Sequence, residues 1–352
     1  MPLQVGILGA NGYGGAGLVS RLLAHPETHL AALASRQYLG QPVEAAWPQF
    51  AGLIDATFVD ADDAVAACDV LFTATPHGAT APLVHAARSA GKRVVDLSAD
   101  FRLDARTYAT WYGEHPHPQW LDEAIYGLPE LHRAELAGAT VVASPGCNAT
   151  AVILALAPLA AAGLLGSTPS ATIVAGASGA GRGLDLGLHY AELDENARPY
   201  KVAGTHRHTG EIEVVLGRVL AQGKRTATHG QRADVRIAFN PVLVPMARGV
   251  LATALARPEG ALDGSTLLER YRDFYADDPF VHVQGDLPQT KAVASSDRAL
   301  VSVRYDERTG TVVAFCALDN LGKGASGQAV QAFNLVHGFP EALGLRLEGV
   351  WP

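Results

Sequence analysis

The stretch from Leu3 to Leu23 constrains the fold more than any other part of the chain. Leu3 to Leu8 is an apolar run bounded by a glycine loop, the pattern of a strand buried on both faces. It leads directly into Gly9-Ala10-Asn11-Gly12-Tyr13-Gly14-Gly15-Ala16-Gly17, after which Leu18, Val19, Leu22 and Leu23 recur at helical spacing. Strand, glycine loop and helix in that order make a dinucleotide-binding turn: the glycines permit close approach, and the helix N-terminus offers N–H donors to a pyrophosphate. Two registers compete, Gly12/Gly14/Gly17 and Gly9/Gly12/Gly15, and the second is preferred because it follows the strand without a gap. The bland alternative is a plain glycine-rich turn.

Further strands are expected at Leu30–Ala34, Val70–Ala74, Arg93–Leu97 and Val141–Ala143, with a helix over Ala79–Ala90. Strands alternating with helices predict a parallel, doubly wound α/β sheet. From about Ala171 the texture changes. Thr172–Ala175, Ala233–Phe239, Gly249–Ala256, Ala299–Tyr305 and Thr311–Leu318 predict a second, mostly antiparallel sheet. The last helix, about Gly324–His337, is apolar on several sides and is expected to dock back on the first domain. The expected division is therefore 1–147 completed by 324–352, with 148–323 as the second domain.

Composition narrows the function classes. Lys plus Arg is 27 against 35 Asp plus Glu, a formal net charge of −8, which argues against nucleic-acid or anionic-membrane partners. With 48% hydrophobic and 18% charged residues, 352 residues can bury large cores, so intrinsic disorder is excluded. Cys68, Cys147 and Cys316 are too few and too scattered for a disulfide scaffold. The start has no basic n-region, and the apolar stretch Ala149–Leu165 is shorter than the roughly 20 residues of a bilayer span. A cytoplasmic protein is expected.

Cofactor choice is read after the second strand. An NAD site places Asp or Glu there, whereas this chain has Ala34-Ser35-Arg36-Gln37. Arg36 offers a guanidinium and Ser35 a hydroxyl to a 2′-phosphate, which favours NADP(H); an ordinary surface arginine is the alternative.

Ser144-Pro145-Gly146-Cys147-Asn148-Ala149-Thr150 lies between a strand and an apolar helix. A cysteine at a helix N-terminus feels the positive end of the dipole, which favours thiolate, and nearby N–H groups suit an oxyanion. Cys68 and Cys316 read as small buried hydrophobes. Thr205-His206-Arg207-His208-Thr209 supplies two histidines at i and i+2, with Glu211 following. In an extended segment both rings face one side: one serves as acid/base and the other binds substrate. A metal pair is the competing reading, although no third ligand lies at a recognised spacing, so no metal is expected. Gly176–Gly183 is a second glycine-rich loop in which Ser178, Gly179 and Arg182 can line a phosphate site or simply form a turn. Asn320, just before the final helix, suits either a nicotinamide amide or a helix cap.

Taken together, these residues resemble the N-acetyl-γ-glutamyl-phosphate reductase family over nearly the whole chain. The matching stretches are Gly9–Gly15, Asp96–Leu103, Tyr126–Leu131, Pro145-Gly146-Cys147, His206–Thr209 and Asp319–Gly327. The resemblance implies a Rossmann-type domain plus an α/β catalytic and dimerisation domain, and NADPH-dependent reduction of an acyl phosphate to a semialdehyde. It implies that Cys147 is the nucleophile forming a thioester, His208 the acid/base and His206 a substrate neighbour. Asn11, Gly12, Tyr13, Gly14, Ser35, Arg36, Gln37 and Asn320 match the family's cofactor contacts. Arg102, Asn148, Arg182, Arg207 and Arg248 are candidates for phosphate or carboxylate binding. Arginine-pathway members carry an aromatic residue and Pro after the cysteine, whereas Asn148-Ala149 follow here. With Tyr112-Gly113-Glu114-His115-Pro116, this resembles the lysine-pathway branch, whose 2-aminoadipate 6-phosphate is presented by a small acidic amino-group carrier protein. N-acetyl-γ-glutamyl phosphate, alone or as a second substrate, is the alternative. The family pattern implies a homodimer or homotetramer.

Overall fold

The computed structural model of the chain describes residues 1–259 and 262–351, which fall into two compact units. The first comprises Met1–Pro129, Arg133–Pro145 and Ala325–Leu345; the second comprises Glu130–His132, Gly146–Gly324 and the tail from Arg346.

In the first unit β1 (Leu3–Leu8), β2 (Thr28–Ala34), β3 (Val70–Thr73), β4 (Arg93–Asp96), β5 (Ala124–Tyr126) and β6 (Val141–Ala143) form one sheet. Its order is β2-β1-β3-β4-β6-β5 and every pairing is parallel. Parallel sheets need both faces covered, and the residues comply: all four of Val70–Thr73 are buried, as are Val5 to Leu8. The helices of this unit are α1 (Tyr13–Leu23), α2 (Val43–Ala46), α3 (Ala61–Ala67), α4 (Ala81–Ser89) and α5 (Ala105–Tyr112), while α6 (Pro129–Leu136) is shared, its residues Glu130–His132 belonging to the second unit. Asp60 and Asp104 start α3 and α5 as caps, accepting from Asp63 N at 2.8 Å and Thr107 N at 2.9 Å. The order turns at β1, with β2 on one side and β3 on the other. This is the topological switch point, where sheets of this kind bind ligands beyond the strand ends.

The last helix, Gly327–His337, lies in this unit, its Phe333 ring 5.5 Å from that of Phe72 and its Asn334 Oδ1 2.9 Å from His25 Nε2. The chain leaves the unit after Leu345. Arg346 N donates to Asp297 Oδ2 at 2.9 Å and Val350 N to Ala294 O at 2.8 Å, so the tail expected to stay with the first domain packs with the second.

In the second unit, α7 (Cys147–Ala161), α8 (Tyr190–Leu193), α9 (His208–Gln222) and α10 (Leu267–Phe274) accompany seven strands. These are β7 (Ser170–Ala175), β8 (Arg198–Pro199), β9 (Ala238–Leu243), β10 (Val250–Ala256), β11 (Val281–Val283), β12 (Ala299–Asp306) and β13 (Thr311–Leu318). Their order is β11-β12-β13-β10-β7-β9-β8; β11·β12 and β7·β9 are parallel and the other pairings antiparallel. Helix α7 is apolar all round, buried from Asn148 to Ala160, and packs on α9 and β10. No helix among the described residues is long and apolar enough to cross a membrane.

Candidate active site

The glycine loop opens where β1 ends. Gly9 has φ +75°, and its N–H and that of Ala10 both donate to Ala34 O at 3.1 Å. A Cβ on Gly15 would lie 2.4 Å from Gly9 O, so helix and loop approach more closely than any side chain permits. Gly9 and Gly15 are therefore required by close approach, as is Gly17, whose Cβ would lie 2.3 Å from Ser326 Oγ, whereas Cβ atoms on Gly12 and Gly14 meet nothing nearer than 3.4 and 3.7 Å. Gly12 is the N-cap of α1, with no side chain of the described residues capping the helix and no acid in its first turn. The first-turn N–H groups are therefore left for an anion, and the cradle fits a dinucleotide pyrophosphate. Trp47 braces the loop by donating Nε1–H to Ala10 O at 2.9 Å, and its ring lies 6.1 Å from that of Tyr13. Asn11 donates to Gln37 Oε1 at 3.4 Å, joining the loop to the segment after β2. There Ser35 is buried and its Oγ accepts from Tyr38 N at 3.2 Å, while Arg36 is exposed with no protein partner among the described residues.

Cys147 is the first residue of α7, placed by the Pro145-Gly146 turn. Gly146 donates its N–H to Glu211 Oε1 at 2.9 Å, and its carbonyl accepts from Thr150 N and Oγ1 at 2.8 and 3.0 Å. Cys147 is half-buried, whereas Cys68 and Cys316 are 1% and 0% exposed. Burial pushes both of those thiols up, keeping them protonated and unreactive. Cys147 Sγ lies 3.7 Å from Asn148 Oδ1, and Asn148 Nδ2 donates to Tyr200 Oη at 3.3 Å. Asn148, a candidate substrate ligand in the sequence, thus links the thiol to a tyrosine whose burial keeps it a neutral phenol.

The histidine segment is not extended. Arg207 is helical (φ −61°, ψ −27°) and His208 begins α9, because the chain turns there and His208 N donates to His206 Nδ1 at 3.1 Å. The rings are nevertheless neighbours, 4.7 Å apart, with His206 edge-on to Phe239 at 5.2 Å and Tyr200 at 5.6 Å. Burial first, then the nearby His208 and Lys201, pull His206 down to about 3 against the opposing pull of Glu211. His206 is therefore neutral at physiological pH; with Nδ1 accepting a main-chain N–H, its proton sits on Nε2. Among the described residues no three His, Cys, Asp or Glu side chains gather as a metal site. Glu211, 1% exposed, holds the turn before Cys147 from the first turn of the helix that begins with His208. Its place three residues after His208 is a sequence signal for sharing that helical face, but its bond to Gly146 is a tertiary fact. Tyr200 carried no sequence signal, since it stands alone in a polar loop.

Three candidate ligands are engaged elsewhere. Arg102 is 8% exposed and donates Nε–H to Ser144 O at 2.7 Å and Nη2–H to Leu97 O at 2.8 Å, so it ties the ends of β4 and β6 rather than facing an anion. Arg248 is paired with Asp319, Nε to Oδ2 at 3.0 Å. Asn320 neither caps a helix nor leaves its amide open: Oδ1 accepts from Gly249 N at 2.8 Å and Nδ2 donates to Ser178 Oγ at 2.9 Å. The second glycine loop is likewise occupied. Ala177 N and Ser178 N donate to Met246 O and Ala247 O at 2.8 and 3.1 Å, and Gly179 N and Gly181 N close the turn Ala177–Ala180 on itself. Of the two readings open in the sequence, a phosphate site or a turn, these bonds describe a tight turn that uses the N–H groups of Ala177, Ser178, Gly179 and Gly181. Arg182 is exposed and Arg207 is half-buried at the start of α9.

Residues 4–139 match the family model for the semialdehyde dehydrogenase NAD binding domain, and residues 147–320 that for the semialdehyde dehydrogenase dimerisation domain. An N-acetyl-gamma-glutamyl-phosphate reductase of Thermus thermophilus is 53% identical over 99% of this chain and 100% of its own. The enzyme so named from Desulforudis audaxviator is 45% identical over the same shares. The chain belongs to the N-acetyl-γ-glutamyl-phosphate reductase family. It is an oxidoreductase with a nicotinamide-dinucleotide domain, and the Gly9–Gly15 cradle lies within the matched part of that domain. Its fold is also that of aspartate semialdehyde dehydrogenases. The enzyme II of Vibrio cholerae, complexed with ASA, superposes with a TM-score of 0.70 at 16% identity over 95% of this chain and 98% of that one. The Candida albicans enzyme with NADP gives 0.69 at 17% over 96% and 100%. The relatives favour the alternative substrate, N-acetyl-γ-glutamyl phosphate, over the carrier-linked one expected first from the sequence. Relatives from 42% to 53% identical carry the acetylglutamyl name, whereas the carrier-linked reading rests on Asn148, Ala149 and the Tyr112–Pro116 stretch alone.

Proposed function

We propose that the chain reduces N-acetyl-γ-glutamyl phosphate to the corresponding semialdehyde, releasing phosphate, with NADPH as reductant. The observation that carries this is Cys147 at the N-terminus of α7, half-buried, its turn anchored by Glu211 on the helix that opens with His208. The Cys147 thiolate attacks the acyl carbon; the carbon–sulfur bond forms, the carbon–oxygen bond to phosphate breaks, and a thioester results. N–H groups of the first turn of α7 point at the developing oxyanion. Bound NADPH would supply the hydride that takes the thioester carbon to the aldehyde level. As the carbon–sulfur bond then breaks, His208 holds the proton that balances the departing thiolate. Neutral His206 donates from Nε2 and orients the substrate. Gly9, Asn11, Gly12, Tyr13, Gly14 and Gly15 bind the pyrophosphate end of the cofactor, and Ser35, Arg36 and Gln37 the 2′-phosphate. Asn148 beside the thiol, Arg207 at the start of α9 and exposed Arg182 are the substrate-binding candidates. The enzyme acts in the cytoplasm as a homodimer or homotetramer.

A second reading, reduction of carrier-protein-linked 2-aminoadipate 6-phosphate, is favoured by one observation. Asn148, in place of the aromatic residue of arginine-pathway members, bonds Tyr200 beside the thiol. Both readings are tested together by following NADPH oxidation with each substrate in wild type and Cys147→Ser. Wild type is expected to turn over the acetylated substrate and to prefer NADPH to NADH; Cys147→Ser should lose at least about 10³-fold in kcat. Wild-type turnover by Cys147→Ser overturns covalent catalysis, and activity confined to the carrier-linked substrate reverses the choice of substrate.

A further inference from the structure

Gly322–Ser326, just before the last helix, forms a π-turn, a conformation rare enough to mark functional positions. Its third residue lies against the nucleophile: a Cβ on Gly324 would sit 2.8 Å from Cys147 Cβ and 3.1 Å from Asp319 O. The residue it would press is the cysteine's own Cβ, which cannot yield without moving the start of α7. The turn is held from two sides. Asp319, 0% exposed, accepts from Leu321 N and Gly322 N at 2.8 and 3.1 Å and from Ser295 N, and its carbonyl takes Gly324 N at 2.9 Å. Lys323 places Nζ 2.7 Å from Glu130 Oε1, with both side chains fully buried. A buried ion pair adds little net stability over apolar residues of the same volume, and its attested use is to specify one arrangement.

We infer that the π-turn is a positioning device for Cys147: Asp319 and the Lys323–Glu130 pair hold Gly324 as the wall that sets where the thiol points. Gly324, Lys323, Glu130 and Asp319 are buried and act through Cys147, as positioning residues. The inference rests on Cys147 being the nucleophile.

The test is alkylation by iodoacetamide as a function of pH, with Cys147 labelling confirmed by mass spectrometry; Cys68 and Cys316 are buried and stay unlabelled. For Gly324→Ala the alkylation profile is expected to shift along the pH axis or lose amplitude. Its kcat should fall about 10- to 100-fold with KM within about threefold, the signature of a misplaced reacting group. Glu130→Gln, which keeps the shape of the buried pair, should move both readouts the same way, and it decides the matter if Gly324→Ala fails to fold. A wild-type profile and wild-type kcat in Glu130→Gln or in folded Gly324→Ala overturn the inference. Failure of the catalytic reading is a separate result, namely normal turnover by Cys147→Ser, because alkylation reports on the thiol whatever its part in turnover.

Discussion

Asp96, at the end of β4, is fully buried and accepts from Thr73 Oγ1, Ser98 N and Ser98 Oγ at 2.6, 2.9 and 2.7 Å. Burial outweighs those three donors and raises its carboxyl to about 6 from an ordinary value of 3.8. Because the folded value lies above the unfolded one, the folded state favours the protonated form. The stability this confers is complete below about pH 4 and is lost as pH rises through 6, a total of about 3 kcal/mol. Urea unfolding of wild type and Asp96→Asn from pH 3.5 to 8 should show the difference between them narrowing, or reversing, in favour of the variant between pH 4 and 6, then holding level. A difference independent of pH counts against the raised carboxyl. Residue-scale chemistry was partly legible in sequence: Cys147 is marked by the Pro-Gly turn before an apolar helix, and His206/His208 by their spacing. The local turn that brings the two rings together was not legible, since an i, i+2 pair is compatible with either an extended or a helical backbone.

At the scale of elements, Gly15 and Gly14 separate packing from conformation. A methyl on Gly15 meets Gly9 O at 2.4 Å and Ala10 Cα at 2.6 Å, whereas one on Gly14 has 3.7 Å of clearance on the nearest side. Gly15→Ala should lower the stability of the first unit by about 1–3 kcal/mol through overpacking, whereas Gly14→Ala should be neutral or gain up to about 1 kcal/mol from helix propensity. Thermal unfolding of the two variants checks this, and equal losses at both sites would sink it. Strands β1, β6 and β13 lie where their apolar runs place them. The strand expected at Ala233–Phe239 instead spans Ala238–Leu243. Ala233 N bonds Gly217 O and Ile237 N bonds Glu213 Oε1, so α9 claims those residues before the sheet does. The last helix starts at Gly327 and not Gly324, because Asp319 holds the preceding residues in the π-turn. Strands β5, β8 and β11, of two or three residues, are too short to show a period.

At the scale of the molecule, the second unit carries Leu184, Leu186 and Tyr190 at 104%, 76% and 80% exposure within one short segment. Clustered apolar side chains of this size mark association surfaces in proteins that assemble. Light scattering is expected to give a mass of about two or four times the 36.8 kDa chain, as closed symmetry requires; the mass of a single chain overturns the proposed assembly.

Sequence by itself determined what is local or periodic. Short apolar runs alternating with segments of helical spacing pointed to a parallel α/β unit, because strands apolar on both faces need helices to cover both sides of their sheet. The three-glycine loop at a helix start dictated an anion cradle, and one cysteine of three stood out by its turn. Tertiary structure decided which polar groups are left over. Arg102, Asn320 and the Gly176–Gly183 loop have the composition of ligand contacts, yet distant carbonyls take Arg102 Nε–H and the N–H groups of Ala177 and Ser178, and Gly249 N and Ser178 Oγ engage the Asn320 amide. Tyr200 reads as an ordinary residue, and nothing in the spacing of Glu211 or Gly324 points to the cysteine, yet folding brings all three to Cys147 or to its immediate neighbours. The reason is physical: a donor's availability depends on acceptors far away in the chain, and no spacing rule records where those acceptors will be.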